Sequence, residues 1–229
     1  MICKLLVFRH SETTDNSNGV FSGWRDSELT QKGFFQAQKI AKQLAQHQID
    51  YAFTSHLKRA KQTMKIVLEG HPQVPVFVDD RLIERCYGLF QGRSKKELEE
   101  EDPEFYAKFH RGYSTAPPEG ESIAMVQKRV MPFFEQLKEW LRQNSGNVAI
   151  SCHNNSIRPF RRIFENLSLT QMCEIESPQD RALIYDLDLG NCNLRHQKQP
   201  TLEAKWEGVI LPKQIKLSTD PKNPLKTYY

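Results

Sequence analysis

Long hydrophobic runs are missing from this chain. No apolar stretch approaches the roughly 20 residues that a bilayer-spanning helix needs, and mean hydropathy is −0.63, which points away from a membrane protein. Cysteine is sparse: Cys3, Cys86, Cys152, Cys173 and Cys192 are scattered, odd in number and lack C-x-x-C spacing. That pattern excludes a disulfide framework and a zinc ribbon, and it suits free thiols in a reducing compartment. A strong charge of one sign is also lacking. Net charge is +4, with acids and bases mixed along the chain, so there is no nucleic-acid footprint. Like charge gathers only from Glu97 to Asp102, read as a solvated helix face. The N-terminus runs straight into an apolar strand with no charged leader, so no secretory signal is read. These absences together predict a soluble cytoplasmic protein.

What is present suits one sizeable α/β domain over 1–229: hydrophobic content is 38% and aromatic content 10% in 229 residues, enough for a single core. A strand is predicted over Cys3–Arg9, followed by a polar loop, Ser11–Glu28, too long for a simple connector. Thr30 is placed to cap a helix over Gln31–Gln46 with Phe34, Ala37, Ile40, Ala41 and Leu44 inward. A strand at Tyr51–Ser55, a helix at Leu57–Leu68 and a strand at Val74–Val78 follow. This β-α-β-α-β order predicts a three-layer α/β/α fold with a mostly parallel central sheet. Residues 93–121 change to charged helical turns, read as an excursion over the sheet. An amphipathic helix over Ser122–Gln143 comes next, with Ile123, Val126, Val130, Phe133, Phe134, Leu137 and Leu141 inward. A strand to Cys152, a helix over Ser156–Glu165 and a strand over Ala182–Leu189 complete the set. The Lys- and Pro-bearing tail, 209–229, is expected to be extended.

Two apolar strands deliver histidines to their C-terminal ends: Lys4-Leu-Leu-Val-Phe-Arg9 runs into His10, and Asn147-Val-Ala-Ile-Ser-Cys152 runs into His153. Open α/β sheets bind ligands at that edge. Segments 55–59 and 81–92 also follow strands and can reach it, adding Arg59 and Glu84. Arginine offers a planar fork matched to a phosphoryl group. A neutral imidazole can act as nucleophile if a neighbour holds its other nitrogen, and a carboxylic acid can protonate a departing oxygen.

Five segments in order, Arg9-His10-Ser11-Glu12-Thr13, Phe21-Ser22-Gly23-Trp24, Ser55-His56-Leu57-Lys58-Arg59-Ala60, Glu84-Arg85-Cys86-Tyr87-Gly88 and His153-Asn154-Asn155-Ser156, resemble the histidine phosphatase superfamily. Within it they look most like the cofactor-dependent phosphoglycerate mutases. The resemblance implies that His10 is phosphorylated, that Arg9, Arg59 and His153 hold the transferring group with Asn16 in reach, and that Glu84 is the proton donor and acceptor. It implies substrate contacts from Ser22 and Gly23, and from Tyr87, Lys95 and Arg111 at the far end. Asn154 is added to that binding set. No metal is implied, because arginines and histidines supply the positive charge.

Five departures from the family pattern stand out. Ser11 and Asn154 occupy usual glycine positions, the latter tolerable because asparagine accepts left-handed backbone. Cys86 replaces a histidine, and Gly112 a second arginine. The segment from Pro117 to Ser122 is short.

The preferred expectation is interconversion of 3- and 2-phosphoglycerate primed by 2,3-bisphosphoglycerate. The rival is a metal-independent phosphatase acting on a small phosphorylated metabolite. A third reading is a non-catalytic phospholigand-binding protein. The expected partner is a small phosphorylated metabolite, with neither nucleic acid nor membrane, and homo-oligomerisation is left open. Arg158, Arg161 and Arg162 cluster near a helix start, where extension of the anion field, solvation and acidic partners explain them equally well. Competing plainer readings are a Glu84–Arg85 surface ion pair and structural or solvated roles for His47, His56, His71, His110 and His196.

Overall fold

Strand β1 (Ile2–Arg9) sends alternate side chains into two separate cores, and this alternation sets the layers of the molecule. The computed structural model describes residues 1–190; the 209–229 tail, Cys192 and His196 lie outside them. After β1 come α1 (Thr14–Ser17), α2 (Gln31–Leu44), β2 (Tyr51–Thr54), α3 (Lys58–Val67), β3 (Val76–Val78), α4 (Lys95–Glu101), α5 (Pro103–His110), α6 (Ile123–Asn144), β4 (Val148–Cys152), α7 (Asn154–Phe164), α8 (Leu169–Glu174) and β5 (Leu183–Asp188). Leu5 and Val7 join Phe53 and Ile150 in a core closed by Val126, Val130, Phe133 and Leu137 of α6 and by Ile157 and Phe160 of α7. Leu6 and Phe8 face the other way, onto Ile40 and Leu44 of α2 and Met64 and Val67 of α3. The result is a three-layer α/β/α fold.

The sheet order is β3-β2-β4-β1-β5. All neighbours run parallel except β5, which is antiparallel to β1 at the edge. Register decides the rest. In the β1–β4 pair Arg9 lies opposite Cys152, and the His10 amide donates to the Cys152 carbonyl at 2.9 Å. His10 and His153 therefore leave the sheet side by side.

Two helices differ from the sequence expectation in informative ways. The Thr30 hydroxyl caps α2 by accepting from the Gly33 amide, but Phe34 is 50% exposed. The helix is turned so that Gly33, not Phe34, faces inward, because the Glu12 carbonyl approaches so closely that a Cβ on Gly33 would lie 2.1 Å from it. Helix α7 begins at Asn154, two residues before the expected Ser156, with His153 extended at its cap. Asn154 thus has helical backbone, and its expected tolerance of a left-handed conformation is not used.

Residues 93–121 form a roof through α4 and α5. Leu98, Tyr106 and Phe109 bury themselves against Phe21 and Tyr87, so the acidic run of α4 has a solvated face and one apolar anchor. Among the described residues, no helix is long and apolar enough to cross a membrane.

Candidate active site

The C-terminal ends of β1 and β4, the start of α3 and the turn after β3 meet beneath this roof in a single pocket. Of the twelve residues singled out from sequence, it is lined by Arg9, His10, Asn16, Ser22, Gly23, Arg59, Glu84, Tyr87, Lys95, Arg111 and Asn154. His153 sits one layer deeper, fully buried, with its ring centroid 5.2 Å from that of His10. The N-terminus of α7 opens here too, and its dipole favours an anion.

The floor is pinned by backbone. His10 Nδ1 lies 2.8 Å from the Ser11 carbonyl, so this nitrogen carries the hydrogen and the lone pair is left on Nε2. Arg59 Nε approaches that Nε2 at 3.3 Å, while its Nη1 and Nη2 donate to the carbonyls of Arg25 and Gly23 at 2.8 and 2.7 Å. Gly23 is at φ +53°, and a Cβ there would strike the Gln91 side chain at 2.1 Å, so only glycine lets that carbonyl turn onto Arg59. His153 Nε2 is 2.8 Å from the Ser55 hydroxyl, and its Nδ1 is buried without a protein partner. Arg9 Nε and Ser22 Oγ are likewise buried and unpartnered. Buried polar atoms are normally satisfied, so three such atoms around one pocket mark a ligand's place.

Charge on the floor follows from burial. Both His10 and His153 are held well below the usual imidazole range, first by burial and then by the neighbouring Arg59 guanidinium. Each is neutral near pH 7. Arg59 itself is lowered to about 10 by burial. Glu84 is buried, and its Oε1 accepts from the amides of Arg85 and Asn155 at 2.8 and 3.3 Å and from Asn155 Nδ2 at 3.0 Å. The Glu84–Arg85 surface pair is overturned: Arg85 is fully buried and turns its guanidinium onto the Glu121 and Thr115 carbonyls. His10, Glu84 and His153 each bring a ligand-type atom within 4.8 Å of the others. Those atoms could hold a metal ion, but Arg59 and Arg9 beside them repel a cation.

The mouth is built differently. Lys95 places its ammonium 5.4 Å over the Phe21 ring and is lowered by burial and by Arg9. Arg111, the half-exposed end of α5, pairs with Glu176 at 2.7 Å. Glu176 also reaches Arg9 at 3.4 Å and Arg158 at 3.7 Å. Burial works against its charge, but the Arg111 hydrogen bond and the three guanidiniums outweigh that and hold the carboxyl below its ordinary value.

Sequence reasoning missed Asn155, His110 and Glu176 as pocket residues and left Arg158 open between extending the anion field and being solvated. Arg158 is buried, not solvated, and donates to Asn155 Oδ1 at 2.6 Å. His110 is lowered to about 3 by burial and the surrounding cations; it lines the wall as a neutral ring. The i, i+1, i+4 spacing of Asn154, Asn155 and Arg158 at a helix start was the available signal, but Glu176 had none.

The departures resolve individually. Ser11 neither crowds the pocket nor lends it a donor, because its hydroxyl donates to the Gln179 carbonyl at 3.1 Å. Asn154 accepts from the Ser177 amide at 2.8 Å, tying α7 to the 175–179 segment. Cys86 is buried with its thiol pushed up to about 11, unsuited to nucleophilic attack. A Cβ on Gly112 would meet the Lys108 carbonyl oxygen at 1.9 Å, so the helix end has closed on this position.

The profile of the histidine phosphatase superfamily (branch 1) matches residues 5–199. The chain is 33% identical over 215 residues to a 2,3-bisphosphoglycerate-dependent phosphoglycerate mutase of Bifidobacterium longum, covering 82% of this chain and 87% of that one. It is 31% identical over 209 residues to the same enzyme of Chlamydia abortus, covering 79% and 92%. Among solved structures, the alpha-ribazole phosphatase of Shigella flexneri superposes with a TM-score of 0.72 at 27% identity, over 81% of this chain and 91% of that one. Bacillus stearothermophilus YhfR gives 0.71, also at 27% identity, over 81% and 92%.

Proposed function

The chain belongs to the histidine phosphatase superfamily, a family of mutases and phosphatases, and on that premise we propose that it transfers the phosphoryl group of a small phosphorylated metabolite through His10. The observation that supports this most directly is the fixed tautomer of His10: Nδ1 bonds its own chain at Ser11, leaving the lone pair on Nε2, where Arg59 Nε stands 3.3 Å away and must yield to the incoming phosphorus. Nε2 attacks phosphorus as the ester P–O bond breaks, and Glu84 Oε2, the oxygen not engaged by the backbone, gives its proton to the departing oxygen. Arg9 Nε, Arg59 and the buried Nδ1 of His153 donate to the phosphoryl oxygens, stabilising charge that would otherwise require a cation. In the second half, Glu84 takes a proton from the acceptor, whose oxygen attacks phosphorus. The P–N bond breaks and the electron pair returns to Nε2.

We read the acceptor as water, which makes the chain a phosphatase. A mutase must also hold its second anionic group while the intermediate reorients, and at the mouth Glu176 already engages Arg111. The alternative is a mutase interconverting 3- and 2-phosphoglycerate after priming by 2,3-bisphosphoglycerate. It is favoured by relatives at 33% identity and by Lys95 and Arg111 on the pocket wall. Phosphate release and mutase turnover, each measured with and without 2,3-bisphosphoglycerate, decide between them. We expect phosphate release independent of the bisphosphate. Bisphosphate-dependent interconversion without release overturns the phosphatase reading. Absence of both, with no acid-labile label on His10, overturns phosphoryl transfer altogether.

A further inference from the structure

The far half of the pocket is unusual in containing its own anion. Five cationic side chains line the cavity: Arg9, Arg59, Lys95, Arg111 and Arg158. Arg59 and Arg9 serve the phosphoryl end. The others face the rest of the substrate, and there Glu176 stands among them. Its Oε1 lies 2.7 Å from Arg111 Nη1 and 3.7 Å from Arg158 Nη2, and its Oε2 lies 3.4 Å from Arg9 Nη1. Nothing in the chemistry at His10 needs a carboxylate at this place.

We infer that Glu176 is a specificity-determining residue: it occupies the position among Arg9, Arg111 and Arg158 that a substrate's second anionic group would take. The pocket then selects phosphomonoesters whose far end carries no second anion and is rich in hydroxyl or ammonium donors. This inference rests on the phosphoryl site being at His10 and deepens that reading by naming the substrate class.

The physical argument has two parts. First, a carboxylate or second phosphate brought to Arg111 must break a short ion pair and then sit beside the displaced Glu176 charge, so like-charge repulsion adds to the lost pairing. A hydroxyl or ammonium meets no such opposition and can donate to Glu176 directly, a charge-assisted bond of the stronger kind. Second, with Arg9, Arg111 and Arg158 facing Glu176 and Arg59 on the floor, Lys95 is the lining cation left to an anion here, and its ammonium lies over the Phe21 ring beside a neutral His110. Glu176 is half-exposed, so changing it does not disturb the core.

Glycerol 3-phosphate and 3-phosphoglycerate make a near-isosteric pair that differs at the far end in a hydroxymethyl group against a carboxylate. Their dissociation constants are measured by calorimetry in the His10→Ala background, where neither ligand is turned over, with wild-type Glu176 and with Glu176→Gln. The protein with Glu176 is expected to bind glycerol 3-phosphate at least about tenfold more tightly, equivalent to about 1.4 kcal/mol. Glu176→Gln is expected to shrink that ratio by about tenfold, chiefly by tightening 3-phosphoglycerate. Preference for 3-phosphoglycerate with Glu176 in place, an unchanged ratio in the variant, or failure of glycerol 3-phosphate to bind at millimolar concentration overturns the inference. An equal loss for both ligands overturns it too, and leaves Glu176 only a role in positioning Arg9. Because the readout is binding, it stands apart from turnover: phosphate release tests the phosphatase reading, and the ligand ratio tests Glu176.

Discussion

The floor and the mouth of the pocket use the same residue types under different constraints. On the floor, Arg59 donates to two backbone carbonyls, His10 is tied to the carbonyl beside it, and Glu84 accepts from two amides and a buried asparagine. At the mouth, Arg111 and Glu176 are partly exposed and hold one another. Backbone partners cannot rotate away, whereas two side chains at a surface trade partners at little cost, since exposed ion pairs are worth about 0–1 kcal/mol. A reaction common to a family needs the first arrangement. Discrimination among substrates can be written in the second, where one residue changes the far wall without touching the nucleophile.

If the floor carries the chemistry, His10→Ala should lower turnover by at least on the order of 10³-fold while far-UV circular dichroism stays unchanged. It should also abolish an acid-labile, base-stable label from a phosphorylated donor. Label on serine or cysteine instead would break the comparison at its root. Glu84→Gln comes next: a loss on the order of 10²-fold on alkyl phosphates, and distinctly less on nitrophenyl phosphate, whose leaving group needs little protonation. Equal losses on both would make Glu84 a binding residue and blur floor into mouth.

The mouth should answer more weakly and in a different parameter. Lys95→Met is expected to raise KM by roughly tenfold, as loss of one charge-assisted hydrogen bond implies, with kcat within about threefold; a fall confined to kcat would move Lys95 into the reacting centre. The smallest effect is a null one. An imidazole is neutral above its pKa, and His10 and His153 are both depressed by burial and Arg59. Their charge is therefore constant from pH 8 to 6, and protonation begins only as pH falls through the lowered values. The Cε1–H resonances of the two rings should not shift across that range in the substrate-free protein. Titration near 6.5 would show a floor less dry than this geometry implies.

How much of this was readable beforehand varies with how local the cause is. The strand-end histidines were legible because β1 and β4 are short apolar runs that end abruptly in His10 and His153, and the five ordered segments carried Arg59 and Glu84 with them. The inward face of α6 was legible for the same reason, from its spacing. Phe34 was misassigned because periodicity says nothing about a carbonyl arriving from Glu12, some twenty residues away in sequence. Arg158 stayed open between the anion field and solvation because a charged residue near a helix start is often solvated; its burial depends on the Ile175 carbonyl and Asn155 being there to receive it.

The sequence by itself determined the layered α/β architecture, the family and the residues gathered on the pocket floor. Those follow from apolar periodicity and from motifs whose residues lie close together in the chain. Only the tertiary structure decided the character of the mouth. Glu176 follows α8 in a stretch with no motif, yet Arg9 comes from β1, Arg111 from the end of α5 and Arg158 from within α7. An electrostatic cluster is set by distances across space, and no spacing along a chain records the meeting of four separate elements.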